Sequence, residues 1–244
     1  MTVELRAGPA SMAGLAWLAR VGPAPMDAWA CAMGWGGRVA RSHASRLERE
    51  GWVERHRLLR GDGSLLLATR RGVRMTGLPV TAVAVAPEPT FWAHECACAW
   101  TAAWLTVRGA QEWQGPRDVL IDPDLKGTVL WSTRVSLRRA GHRPDLAVRA
   151  PAGLIPIEVE LQRNNTSRME GILTMYRRWI DEQKSGGVAY ACGSEARADR
   201  VREHAAKVGI PAGALRIELF SVVREEAQRW RSRSAERSVS GGGA

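Results

Sequence analysis

Lysine is nearly missing from this chain, with three residues (Lys126, Lys184 and Lys207) among 35 basic positions, the rest being arginine. Acidic residues are also in deficit, 25 Asp and Glu leaving a formal net charge of +10. Codon bias explains Arg over Lys, but it does not explain basic over acidic. That excess points to a polyanionic partner, because each neutralised phosphate releases a condensed counterion. Cysteine is limited to Cys31, Cys96, Cys98 and Cys192, with no CxxC pair, which argues against a zinc site or a disulfide framework. A reduced, cytoplasmic setting is the expectation. No apolar run is long enough to span a membrane, and the N-terminus lacks a signal-peptide pattern.

What is present is a globular composition, 45% hydrophobic and 25% charged over 244 residues, enough for one large domain or two ordinary ones. No internal repeat is found. The eleven tryptophans read as core or interface residues, since none is arranged as a stacking platform. The clearest break runs from Gly77 to Pro89, where LPVTAVAVAPEP holds three prolines and no basic residue. A second break is the tail from Arg231, RSRSAERSVSGGGA, whose Ser, Arg and Gly cannot bury a core and which reads as disordered.

Before the first break, two short apolar helices between Ser11 and Met33 are expected, separated by GPAP at 22–25. A turn over Gly34 to Gly37 leads to a third helix from Arg38 to Glu50. WVERHRLL, the tight turn RGDG at 60–63 and SLLLATRRG then read as a hairpin. Three helices followed by a hairpin is the order of a winged helix-turn-helix. At about 100° per residue, Ala40, Ala44 and Leu47 share one side of the third helix. Arg38, Ser42, Ser45 and Arg49 fall on the other, with Arg41 and Arg46 at the flanks. Such a face suits the major groove of double-stranded DNA, where Arg reaches guanine edges and Ser reaches phosphates. Arg60, at the hairpin tip, would meet the minor groove or the backbone. A solvated helix face is the plain alternative for a lone basic helix, but the hairpin sits where a wing requires it.

Beyond the break, FWAHECACAWTAAWLTVRG reads as a long helix with an apolar stripe through Trp92, Cys96, Ala99 and Ala103. Strands are expected at VLID, VLWST, DLAVRA and LIPIEVELQ, then a helix from about Ser167 to Lys184. GVAYACG reads as a buried strand, SEARADRVREHAAKVG as an amphipathic helix and ALRIELF as a last strand. That succession argues for an α/β (α+β) domain on a mixed sheet. Asp122 and Asp124, around Pro123, read as turn formers. The RRW at 177–179 reads as a solvated helix face, and His142 as either a phosphate contact or a loop residue. His94-Glu95 lacks the second histidine of HExxH.

In LIPIEVELQ, Glu158, Glu160 and Gln162 share one face of a strand and Ile157, Val159 and Leu161 the other. Asp145, after Pro144, begins a strand expected to pair with this one, so its carboxylate can converge on Glu158 or Glu160. Acidic oxygens on adjacent strands suit Mg²⁺, which activates water and stabilises charge on a phosphodiester.

Pro144-Asp145, about a dozen residues, then Glu158-x-Glu160 on an apolar strand is similar to the PD-(D/E)xK nuclease signature. The whole chain, over roughly residues 10–225, resembles the replication-relaxation type of protein found on actinobacterial mobile elements. In that type a winged helix precedes a domain with an RPD segment and an EVEL- or EVDR-like strand. Here the matching text is HRPD at 142–145 and EVELQRN at 158–164, followed by RMEGILTMYRRWI. The resemblance implies a restriction-endonuclease-like second domain with Asp145, Glu158, Glu160 and Gln162 as its catalytic positions. It also implies Mg²⁺ on Asp145, Glu158, Glu160 and, from the preceding helix, Glu95. One departure stands out. The signature's lysine, two residues after the second acid, is replaced by Glu160 or Gln162, depending on which glutamate is aligned first. Arg163 or Arg168 can supply charge there, but as a clamp and not a base.

The expected organisation is a winged helix over 1–78, a linker over 79–89, a nuclease-like domain over 90–230 and a tail over 231–244. The function expected is DNA binding in replication or maintenance of a plasmid or mobile element. A transcriptional regulator with a non-catalytic interaction domain and an active Mg²⁺-dependent endonuclease are the alternatives. A homodimer is compatible with either.

Overall fold

A computed structural model describes residues 7–57, 63–80, 89–110, 112–132, 136–151, 153–162 and 165–240. The chain forms two compact units, one of residues 1–109 with 224–244 and the other of 110–223. Together they make a mixed α/β protein. No helix among the described residues is long and apolar enough to cross a membrane.

The first unit begins with α1 (Pro9–Val21), which carries Pro at its start, where the missing N–H has no helical partner to lose. A two-residue strand, β1 (Ala24–Pro25), leads to α2 (Met26–Ala32), and a turn leads to α3 (Gly37–Arg49). The antiparallel strands β2 (Val53–Arg57) and β3 (Ser64–Ala68) follow. Their sheet order is β1-β3-β2, the arrangement of a winged helix. GPAP is thus both a break and an edge strand, a place where proline is tolerated. The expected hairpin is present, but its tip, with Arg60, lies outside the described residues.

The core of this unit forms where α1 and α2 cross. Trp29 is fully buried and donates its indole N–H to the Gly14 carbonyl at 2.9 Å. A Cβ on Gly14 would stand 2.8 Å from the rings of Trp29 and Trp35, so glycine is what permits the approach. SLLLATRRG does not stay extended to its end. Thr69 accepts a hydrogen bond from the Gly72 N–H and starts α4 (Arg70–Thr76).

The break seen in the sequence is not the boundary between the units. Residues 81–88 are outside the described set, and α5 (Pro89–Val107) packs against α1, α2 and β1. The stretch from 90 therefore begins in the first unit, because the apolar side of α5 finds its partners there.

The second unit opens with β4 (Trp113–Gln114) and α6 (Pro116–Ile121). VLID, expected as a strand, belongs to α6 and its end. Pro116 opens that helix, and the Asp118 carboxylate accepts from the Gly115 N–H, which caps it. Next come the hairpin β5 (Gly127–Ser132) and β6 (Leu137–His142), then β7 (Leu146–Ala150), β8 (Gly153–Glu160) and α7 (Thr166–Asp181). The unit closes with β9 (Val188–Cys192), α8 (Glu195–Lys207) and β10 (Leu215–Leu219). The five-stranded sheet has the order β10-β9-β8-β7-β4. β8, β9 and β10 are mutually parallel, while β7 is antiparallel to both β8 and β4.

α7 carries the core of this unit. Leu173 and Tyr176 are fully buried, with Met169, Met175 and Trp179 nearly so. Gly171 lies against the Leu130 carbonyl, which a Cβ would strike. The arginines of RRW stay on the surface, Arg177 pairing with Asp181 and Arg178 with Glu182. A last helix, α9 (Phe220–Ser240), extends well past residue 231, where disorder was expected. Between Phe220 and Ser240 there is no Gly or Pro to stop it, and an Arg229–Glu225 pair lies along its turn.

Candidate functional site

Two clusters hold the residues singled out by sequence, one in each unit. In the first, α3 is split as its periodicity demands. Ala40, Ala44 and Leu47 are fully buried, while Arg38, Val39, Arg41, Ser42, Ser45 and Arg49 are exposed and Arg46 is half-exposed. Arg55 of β2 pairs with Glu48 of α3 at 2.6 Å, tying wing to helix. His43, not foreseen, stacks on Trp35 with ring centroids 4.1 Å apart and hydrogen-bonds Ser11 at 2.7 Å. Burial and the Arg46 charge hold its pKa below the ordinary histidine value, so it is a neutral post beneath the helix.

Arg231 was also missed, having been assigned to the tail. Its guanidinium pairs with Asp27 at 3.1 Å, and a Cβ on Gly37 would lie 3.0 Å from it. The fastening brings a cation to the start of α3. The nearby Cys31 thiol is pushed up to about 11 by burial, with Arg231 pulling the other way. Only the helical continuation of residues 220–240 could have signalled this role.

The second cluster is built by HRPD and EVE. The strand pairing expected of Asp145 and the glutamates is present, with Leu146 opposite Ile157. The Asp145 N–H donates to the Ile157 carbonyl at 3.1 Å, and its carboxylate accepts from the Val159 N–H at 2.8 Å. Asp145 therefore stitches the start of β7 to β8. Arg143 donates to the carbonyls of Val119 and Asp122, at 3.0 and 2.7 Å. Asp122 also forms the turn expected of it, accepting from the Asp124 N–H at 2.9 Å.

Glu158 and Glu160 stand in register with Tyr190 and Cys192, on the sheet face covered by α7. Glu158 accepts from His142 Nε2 at 2.7 Å and from the Tyr176 hydroxyl. His142 is thus a partly buried partner of an acid at the end of β6, not a loop residue. Burial pushes the Glu158 pKa up, and the His142 charge only partly offsets it. Burial alone would lower His142, but the Glu158 carboxylate and Asp145 carry it above its ordinary value. Burial and Glu158 also keep Tyr176 protonated, so its hydroxyl remains a donor. The result is a shielded hydrogen-bonded network in which His142 and Glu158 both hold protons more tightly than usual.

Glu160 is almost buried and lies 4.0 Å from Arg197 of α8. Gln162 follows the end of β8 and is exposed. Glu95 sits on α5, in the first unit. Arg168 stands 6.0 Å from the Trp131 ring, and Arg163 lies outside the described residues. Asp145, Glu158 and Glu160 do not form a group of three ligand atoms within 4.8 Å of one another. Asp145 and Glu158 instead have their hydrogen-bond partners in the Val159 N–H, His142 and Tyr176.

No family model matches the chain, and neither does any curated protein. Among solved structures it is similar to the crystal structure of protein VC1899 from Vibrio cholerae, at 11% identity and a TM-score of 0.33. That match covers 94% of this chain and 57% of the other.

Proposed function

We propose that this chain binds double-stranded DNA through α3, and that its second unit is a nuclease-like fold used for binding or assembly and not for strand cleavage. The observation that carries the reading is the exposed row Arg38, Arg41, Ser42, Ser45 and Arg49 on the helix a winged helix presents to the major groove. The net charge of +10 agrees with a phosphate partner. In the second unit an acid begins β7, two acids lie on antiparallel β8, and a helix then leads to parallel β9. The placement of Asp145 just before β7 and of Glu158 and Glu160 on β8 supports the PD-(D/E)xK reading. A role in replication or maintenance of a plasmid or mobile element rests on that resemblance alone.

The test is fluorescence anisotropy on duplex DNA across a salt series, comparing the native chain with Arg38→Ala/Arg41→Ala. The double variant should bind more weakly, with a salt slope smaller by roughly 2. Unchanged affinity in a folded variant removes α3 from the mechanism. A Mg²⁺-dependent endonuclease is the second reading, favoured by the placement of Asp145 beside Glu158. Incubating supercoiled and linear DNA with Mg²⁺ or Mn²⁺ separates the two. Nicking that disappears in Glu158→Gln supports the endonuclease, and intact DNA under both metals supports the binding protein.

A further inference from the structure

β10 is the outermost strand of the five-stranded sheet, pairing among the described residues with β9 on one side only. Its sequence, Leu215-Arg216-Ile217-Glu218-Leu219, is symmetric in kind about Ile217, with apolar residues at the centre and ends and opposite charges between. Leu215, Ile217 and Leu219 are only partly buried against the core, so their outer sides stay accessible. Arg216 and Glu218 make no ion pair among the described residues. Beside the strand, a groove of about 380 Å³ is lined by Ala205, Ala206, Ile210 and Ala212 with Leu215 and Ile217, and by Arg202. A sheet edge with unpaired backbone groups and no proline or lysine is a template for another strand.

We propose that the occupant is a second copy of this chain, joined by antiparallel pairing of β10 with itself about a two-fold axis at Ile217. In that register Arg216 of each copy stands opposite Glu218 of the other, Leu215 opposite Leu219, and Ile217 opposite Ile217. An isologous interface requires this self-complementarity, and opposite charges facing each other across paired strands are attractive. No neighbouring register pairs both charges this way, since a shift by two residues moves each off its partner. The groove beside the strand takes up apolar surface around the axis. The product is one continuous ten-stranded sheet carrying two winged helices, and its DNA target would have two-fold symmetry.

The test is the mass of the full chain by light scattering and sedimentation over a concentration series. Three proteins are compared: native, Arg216→Glu, and Arg216→Glu/Glu218→Arg. The native chain should be dimeric. Arg216→Glu sets two glutamates against each other on both sides of the axis and should weaken the dimer at least about tenfold. The double exchange recreates opposite charges at the same positions and should restore the dimer. Circular dichroism checks that each variant is folded, and if Arg216→Glu does not fold, Ile217→Lys replaces it as the disrupting change. A native chain that stays monomeric at the highest concentration overturns the proposal. So does a dimer unchanged in folded Arg216→Glu, or a double exchange that fails to restore it. DNA binding by α3 in a monomer would leave the functional reading intact while removing this interface.

Discussion

His142 Nε2 lies 2.7 Å from the Glu158 carboxylate, beneath α7, and the Tyr176 hydroxyl donates to the same oxygen. The residue that resembles a catalytic acid is therefore occupied by the protein itself. Its environment has the low exposure and full hydrogen bonding of a structural network, where removing one member strands the others.

Glu158→Ala should lower stability by about 2–4 kcal/mol, because it removes the carboxylate that both His142 and Tyr176 bond and leaves those two only their 3.4 Å contact with each other. Glu158→Gln, which still accepts one hydrogen bond, should cost clearly less. Thermal unfolding by circular dichroism measures both. Equal losses in the two variants would mean that volume, and not hydrogen bonding, is what Glu158 contributes.

The same pair predicts a pH dependence. Both His142 and Glu158 hold protons more tightly in the folded protein than at their ordinary values. The folded state thus binds more protons than the unfolded one, and stability falls as pH rises. For His142 the window opens at its ordinary value of about 6.5 and ends at its raised one. His142→Gln should flatten the slope there. Asp145→Asn should pull the His142 pKa down, since Asp145 helps to raise it, and NMR of the imidazole protons reads that shift. At the acid end Glu170, held low by its hydrogen bond to Lys207, and Glu226, held low by Trp104 and Arg108, have the opposite sign. Their contribution is present above the usual Glu range and fades as pH drops through their depressed values.

Gly171→Ala should destabilise the second unit by about 2 kcal/mol or more. Its Cβ meets the Leu130 carbonyl and sits 2.9 Å from Val129, neither of which can yield without moving β5 from α7. Gly213, in the same unit, whose Cβ would meet nothing within 4 Å, is the control. Alanine there should change the melting midpoint little. A chemical-denaturation comparison of the two variants checks the difference.

Arg143→Ala should loosen the joint between β6 and β7, since the guanidinium satisfies the Val119 and Asp122 carbonyls together. The expected cost is about 1–3 kcal/mol. Hydrogen exchange should show faster opening at 119–125 while the amides of α3 are unaffected. Uniform protection in the variant would assign Arg143 to another task.

Much of this architecture was legible in the chain because local patterns were strong. The 3.6-residue spacing of Ala40, Ala44 and Leu47 identifies the inner face of α3, and the outward arginines follow from the same geometry. Alternation in LIPIEVELQ likewise places Glu158 and Glu160 together on one side of β8. VLID was misread because a short apolar run looks the same in a strand and a helix, and only the Pro116 start with the Asp118 cap decides. The tail beyond Arg231 was misread because composition says nothing about a helix that keeps propagating from Phe220.

The sequence by itself determined the helices and strands with a strong period, the basic face of α3 among them, since each depends on neighbours within a turn or on a strand's two-residue period. Only the tertiary structure decided what the acids do. His142, Glu158 and Tyr176 come from β6, β8 and α7, with 16 residues between the first two and 18 between the last two in sequence. Whether a buried carboxylate meets a metal, a histidine or a phenol depends on how those elements pack. The same holds for α5, whose apolar side fits either unit on pattern alone, and whose place in the first is set by the α1, α2 and β1 surfaces it covers.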